Sequence, residues 1–146
     1  MSAVENCKKR GIEATAERVA FCTSKNVPLT ILVVEDDPII RVIVCSMLED
    51  MGHACIEAKS AECALDVLAI EKSIDLVVTD HSMQGMTGGQ LIEIIKRDYT
   101  KIPAILATGN PINAAGIEVA VLHKPFFQED LERAIEETMA NNRKSI

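Results

Sequence analysis

Leu76, Val77, Val78 and Thr79 run without a break into a carboxylate, Asp80, and then into His81 and Ser82. No other stretch limits the fold as much. A continuous run of apolar and β-branched residues is the pattern of a strand buried on both faces, as in a parallel sheet covered by helices. A strand of this kind that ends on Asp puts a carboxylate at the carboxyl edge of the sheet, where open α/β sheets bind their ligands. Asp75, just ahead of the run, reads as a helix-to-strand loop residue.

The same arrangement recurs along the chain. Ile31 to Val34 is a buried strand that runs into Glu35, Asp36 and Asp37. Pro38 suits the first turn of a helix, with Asp37 as its cap. Ile39, Ile43, Met47 and Leu48 form an apolar stripe for that helix, which Gly52 ends. His53 reads as a loop histidine. Ala54 to Glu57 is a second strand, and Ser60 caps a helix with Cys63, Ala64, Val67 and Leu68 on its inner face. After Asp80, a glycine-bearing loop leads to a helix marked by Leu91, Ile92, Ile94 and Ile95. Ala104 to Ala107 is a fourth strand that ends on Thr108, and Val119 to Leu122 a fifth that runs into His123, Lys124, Pro125 and Phe126. Leu131, Ile135 and Met139 carry a final helix. Strands alternating with helices predict an α/β domain around a five-stranded parallel sheet with right-handed crossovers. Asn110 to Glu118 holds Pro111 and Gly116 and is too short for a helix of ordinary length, so the fourth helix is expected to be vestigial.

Residues 1–28 read as an N-terminal extension, with Ile12, Ala16, Val19 and Ala20 on one face of a short helix, and residues 29–146 as the domain. A chain of 146 residues with a net charge of −7 argues against a general nucleic-acid or anionic-membrane binder. Lys8-Lys9-Arg10, the one dense basic run, reads as a solvated tail. No apolar run is long enough for membrane insertion, and Glu13, Glu17 and Arg18 interrupt any signal-peptide core, so the expected location is cytoplasmic. The five cysteines are odd in number and show no C-x-x-C pair, which predicts neither a disulfide framework nor a zinc site. Cys45, Cys55 and Cys63 read as small buried hydrophobes in a reducing compartment.

Parallel strands bring Glu35, Asp36, Asp37, Asp80, Thr108 and Lys124 to one edge. Carboxylates gathered there repel one another and call for a hard cation, for which Mg²⁺ is suited. With a hydroxyl and an ammonium nearby, a carboxylate beside Mg²⁺ makes an aspartyl-phosphate site.

The ordered set Ile31-Leu32-Val33-Val34-Glu35-Asp36-Asp37-Pro38, Val77-Val78-Thr79-Asp80, Ala107-Thr108 and Lys124-Pro125-Phe126 resembles the receiver domain of two-component response regulators, over about residues 30–140. The resemblance implies a flavodoxin-like, doubly wound sheet of order 2-1-3-4-5. It implies Asp80 as phosphoacceptor, and Glu35, Asp36, Asp80 and the main-chain carbonyl of Ser82 as Mg²⁺ ligands. Thr108 and Lys124 would hold the phosphoryl oxygens, and the peptide bond before Pro125 would be cis. It also implies a stand-alone response regulator that takes its phosphoryl group from a histidine kinase or histidine phosphotransfer protein. The signal would pass to a downstream protein target by contact or by phosphorelay.

The sequence departs from the family pattern at Gln84, where proline is usual, and at Val121, which replaces the switch aromatic. Ala107-Thr108-Gly109 is similar to an atypical single-domain subclass that often works with HWE-type kinases. Two rivals are a pseudo-receiver that is never phosphorylated and an aspartyl-phosphate phosphatase or phosphotransferase. Intact Asp36, Asp80, Thr108 and Lys124 argue against the first. Ser82 argues against a haloacid-dehalogenase type, which wants a second Asp there. His81 and His123 flank the edge without a third ligand and read as solvated or packed histidines.

Overall fold

The computed structural model describes residues 27–110, 112 and 116–144. Its elements are β1 (Thr30–Val34), α1 (Pro38–Asp50), β2 (Ala54–Ala58), α2 (Ala61–Ile70), β3 (Leu76–Asp80), α3 (Gly88–Asp98), β4 (Ala104–Thr108), β5 (Ala120–His123) and α4 (Gln128–Lys144). All four strand pairs are parallel, in the order β2-β1-β3-β4-β5. Between β4 and β5 the described residues form no α-helix, and residues 111 and 113–115 of the expected vestigial helix lie outside the described residues. The helical face expected at Ile12 to Ala20 lies outside the described residues.

The period-two geometry of a strand sorts its side chains onto two faces. Ile31 and Val33 of β1 face one core, with Leu76, Val78, Ile105 and Ala107, beneath α1 and α4. Leu32 and Val34 face the other, with Ile56 and Val77, beneath α2 and α3. Both faces are covered, which is why β1 and β3 had to read as unbroken apolar runs. Leu32, Leu76, Leu91, Ile95 and Ile105 are fully buried, each worth roughly 1.5–3 kcal/mol by burial of apolar area.

The helices start where side chains can satisfy their free amides. Asp37 Oδ1 accepts from the Ile39 and Ile40 amides at 2.9 and 3.4 Å. Ser60 Oγ accepts from the Cys63 amide at 3.0 Å. Thr87 and Gln90 close a reciprocal capping box at α3, the T-x-x-Q pattern of a helix N-terminus.

Two expectations are corrected. α1 turns Val44, Cys45 and Leu48 inward and leaves Ile39 and Ile43 exposed, with Met47 only partly buried. This helix is apolar on more than one side, so its periodicity alone could not select the buried stripe. Secondly, Cys45 and Cys55 are joined in a disulfide, with Cα atoms 5.7 Å apart. The inner face of α1 lies directly on β2, which brings together two cysteines whose spacing follows no disulfide or zinc pattern. Cys63 is free and half-buried; Cys7 and Cys22 lie outside the described residues. Among the described residues, no helix is long and apolar enough to cross a membrane.

His53 is also more than a loop histidine. It is 4% exposed, and its Nδ1 accepts the Leu29 amide at 3.1 Å. Asp75 Oδ2 accepts the next amide, Thr30, at 2.8 Å. Together they anchor the entry of β1. Burial pushes the imidazole below its ordinary value of 6.5, against a smaller upward pull from Asp75. The unfolded chain therefore takes up this proton before the folded one, and stability falls as pH drops through 6.5 towards the depressed folded value. Urea midpoints measured between about pH 7.5 and pH 5.5 should fall for the wild type and fall less for His53→Asn, which keeps an acceptor but does not titrate. Equal slopes would remove His53 from the acid sensitivity.

Candidate functional site

The register of the sheet assembles the site. Val34 pairs with Thr79 across β1 and β3, so the next residues, Glu35 and Asp80, lie side by side. Asp80 pairs with Ala107 of β4, and Thr108 with His123 of β5. Lys124 follows at once, its amide donating to the Thr108 carbonyl at 2.9 Å. Strand ends thus converge on one edge because each side chain of interest stands at or just after the last residue of its strand.

Glu35 is 4% exposed and fixed on every side. Its amide donates to the Ala58 carbonyl at 3.0 Å and its carbonyl accepts Arg41 Nη1 at 2.8 Å. Oε2 accepts the Asp37 amide at 3.2 Å, and Oε1 faces Lys124 Nζ at 3.2 Å. Asp80 is 8% exposed, and its Oδ1 lies 2.7 Å from the same ammonium. Asp36 is exposed at the rim. Carboxylate oxygens of Glu35, Asp36 and Asp80 all lie within 4.8 Å of one another.

Lys124 therefore bridges two carboxylates. Burial raises the Glu35 carboxyl above its usual range, the Asp37 amide lowers it, the charge of Asp80 raises it further and Lys124 lowers it; the net direction is up. For Lys124, burial pulls the ammonium down, but the hydrogen bond and charge of Asp80, then of Glu35, outweigh it and hold the group above its ordinary value. The ammonium stays charged at neutral pH and partly relieves the crowding. Three carboxylates against one ammonium still leave the site net negative, and the oxygen donors suit a small hard cation.

The other expected residues fall as follows. Thr108 is 2% exposed, and its hydroxyl exchanges hydrogen bonds with the amide and carbonyl of Asn110, both at 3.1 Å. Ser82 lies exposed on the loop after His81. Val121 stands half-buried on β5, opposite Leu106. The Lys124–Pro125 bond is cis. Asp37 is the α1 cap and not part of the carboxylate cluster. His81 Nδ1 accepts the Gly89 amide at 3.3 Å, which makes it a local brace for α3. His123 is exposed.

Two supporting residues were missed from sequence. Arg41 holds the Glu35 carbonyl while its Nε pairs with Glu57 Oε1 at 3.1 Å; its place one turn into α1 carries no local signal. Gly88 packs against the end of β3, where a Cβ would stand 2.2 Å from the Asp80 carbonyl oxygen.

Residues 31–136 match the family model of the response regulator receiver domain. The chain is 33% identical over 122 residues to the nitrogen assimilation regulatory protein NtrX of Azorhizobium caulinodans, covering 73% of this chain and 26% of that protein. It is 34% identical over 110 residues to the phosphate regulon transcriptional regulatory protein PhoB of Pseudomonas aeruginosa, covering 70% of this chain and 48% of that one. It thus spans a quarter to about half the length of these relatives. The crystal structure of a response regulator receiver domain protein from Clostridium thermocellum superposes with a TM-score of 0.73 at 26% identity, covering 81% of this chain and 99% of that one.

Proposed function

Since the chain belongs to the response regulator receiver family, we propose that it accepts a phosphoryl group on Asp80 from a phosphohistidine of a histidine kinase or histidine phosphotransfer protein. The observation that carries this reading is the cluster of Glu35, Asp36 and Asp80 oxygens within 4.8 Å, with Lys124 Nζ 2.7 Å from Asp80. Such an arrangement pairs a nucleophile with the means to neutralise an incoming phosphoryl group.

The geometry supports the following roles. Lys124 engages Oδ1 of Asp80, which leaves Oδ2 as the attacking atom. As the Oδ2–phosphorus bond forms, the bond from phosphorus to the donor imidazole nitrogen breaks, and the imidazole leaves with that electron pair. Lys124, a compact ammonium on a flexible stem, can follow the charge onto the phosphoryl oxygens. The Thr108 hydroxyl, on giving up its hydrogen bond to the Asn110 carbonyl, can donate to a phosphoryl oxygen. Glu35, Asp36, Asp80 and the Ser82 carbonyl would hold Mg²⁺, which when bound supplies charge neutralisation to the transferring phosphoryl group.

The donor partner needs a surface beside Asp80. α1 begins there and exposes Ile39, Val42 and Ile43 at 70, 55 and 48%. An exposed apolar stripe of this kind fits a helix of a partner protein. A cytoplasmic setting, where ATP-charged kinases work, is the compartment this function requires. The signal would leave through contact with a downstream protein or by onward transfer.

The deciding experiment is intact mass spectrometry after incubation with acetyl phosphate. One added phosphoryl group is expected with Mg²⁺ and none with EDTA. No label with Mg²⁺, or equal labelling in EDTA, would sink the reading.

A further inference from the structure

We propose that Arg41 is the positioning residue for Asp36: it holds the backbone that aims this carboxylate at the other two. The role rests on the reading of the carboxylate cluster as a Mg²⁺ site, and it adds to that site a residue that would touch no ion.

The carboxylate oxygens of Glu35, Asp36 and Asp80 lie within 4.8 Å of one another, but the three are not held alike. Glu35 and Asp80 are both tied to Lys124. Asp36 is exposed and makes no salt bridge among the described residues. The direction of its side chain is therefore set by its backbone, which is held on both sides. The Glu35 carbonyl, in the peptide group ahead of Asp36, accepts Arg41 Nη1 at 2.8 Å. The Asp37 amide, in the peptide group after it, donates to Glu35 Oε2 at 3.2 Å. Peptide groups are planar, so holding both fixes the two dihedrals of Asp36 and with them the direction of its Cβ. One hold comes from within the cluster. The other is supplied by Arg41.

Arg41 is itself braced. Its Nε donates to Glu57 Oε1 at 3.1 Å, with the two side chains 18 and 28% exposed. Glu57 stands on β2, paired with Val33 of β1. One helical turn beyond Arg41, Cys45 is bonded to Cys55, which lies two residues before Glu57 on β2. The periods of helix and strand place these two cross-links side by side between α1 and β2. A planar guanidinium holds a carboxylate and a carbonyl in set directions at once, which the point charge of a lysine ammonium does not. Residues that orient metal ligands through hydrogen bonds typically contribute about 10–100-fold to metal affinity.

A double-mutant cycle tests the role without phosphoryl chemistry. Mg²⁺ affinity is measured by titration calorimetry on the whole chain for the wild type, Arg41→Lys, Asp36→Asn and the two combined. Mn²⁺, whose free ion is counted by electron paramagnetic resonance, replaces Mg²⁺ for the weaker binders. Arg41→Lys should weaken binding by ~10-fold. In the Asp36→Asn background the same change should cost less than about 2-fold, the scale of additivity between uncoupled sites, because the carboxylate that Arg41 orients is gone. In the metal-free protein, Arg41→Lys should also speed exchange of the Asp37 amide, while the Val77 and Val78 amides of β3 stay protected as the measure of an intact fold. The role is overturned if Arg41→Lys binds as tightly as the wild type, if it loses the same factor with and without the Asp36 carboxylate, or if the Asp37 amide is unchanged. A wild type that binds neither ion would remove the cation site and this role together. A wild type that binds, matched by an equal Arg41→Lys, would remove the role of Arg41 alone.

Discussion

Asp80→Asn should take up no phosphoryl group from acetyl phosphate and Mg²⁺ under conditions that label the wild type fully. An amide oxygen is a poor nucleophile, and the variant also removes one of the three carboxylates that lie within 4.8 Å of one another. The loss should be complete, because the remaining carboxylates are placed differently: Glu35 is 4% exposed and held by the Asp37 amide and Lys124, and Asp36 is on the rim. A second consequence is thermodynamic. Mg²⁺ at about 100 times its dissociation constant should stabilise the wild type by roughly 2.7 kcal/mol through mass action, and should stabilise the variant much less. Intact mass and melting curves with Mg²⁺ or EDTA check both. Labelling of the variant would move the acceptor to Asp36 or elsewhere, and an unchanged response to Mg²⁺ would remove Asp80 from the metal site.

The largest effect on stability is expected at Gly88. Its backbone does not need a glycine-only conformation, since it is not among the residues with positive φ. The constraint is space. A Cβ there would meet the Asp80 carbonyl oxygen at 2.2 Å and the His81 Cα at 2.8 Å. Both are backbone atoms, and the Gly88 amide binds the His81 carbonyl at 3.0 Å, so neither side can yield cheaply. Gly88→Ala should cost about 3 kcal/mol or more and displace Asp80. Gly89→Ala is the matched control. Its Cβ would meet the tip of Ile117 at 3.1 Å and the His81 ring at 3.4 Å, which can shift, and alanine gains roughly 1 kcal/mol of helix propensity. Urea midpoints should therefore drop sharply for the first variant and little for the second. Similar midpoints would show that the loop behind Asp80 adjusts freely.

The site was legible for a simple reason. Parallel strands bring their carboxyl ends to one edge, so a residue that ends a buried run is assigned to the site by its position alone. Glu35, Asp36, Asp80, Thr108 and Lys124 could be found this way without knowledge of any contact. The sheet order was not readable from the runs, and came from the resemblance carried by the ordered motifs. Arg41 and Gly88 support Glu35 and Asp80 from behind, and no periodicity marks a residue whose role is set by what packs against it.

Sequence alone is enough to mark which segments are buried on both faces, where α1 and α2 start, and which side chains stand at the site edge. These are local consequences of strand and helix periodicity and of capping chemistry. Which stripe of α1 faces inward is settled by packing, because Ile39, Ile43, Val44 and Leu48 are equally apolar and the choice depends on how the helix lies on β1 and β2. The same packing joined Cys45 to Cys55, buried His53 against the Leu29 amide, and set Lys124 between Glu35 and Asp80. Each of these is a meeting of residues distant in sequence or on separate elements, fixed by distances that no local pattern encodes.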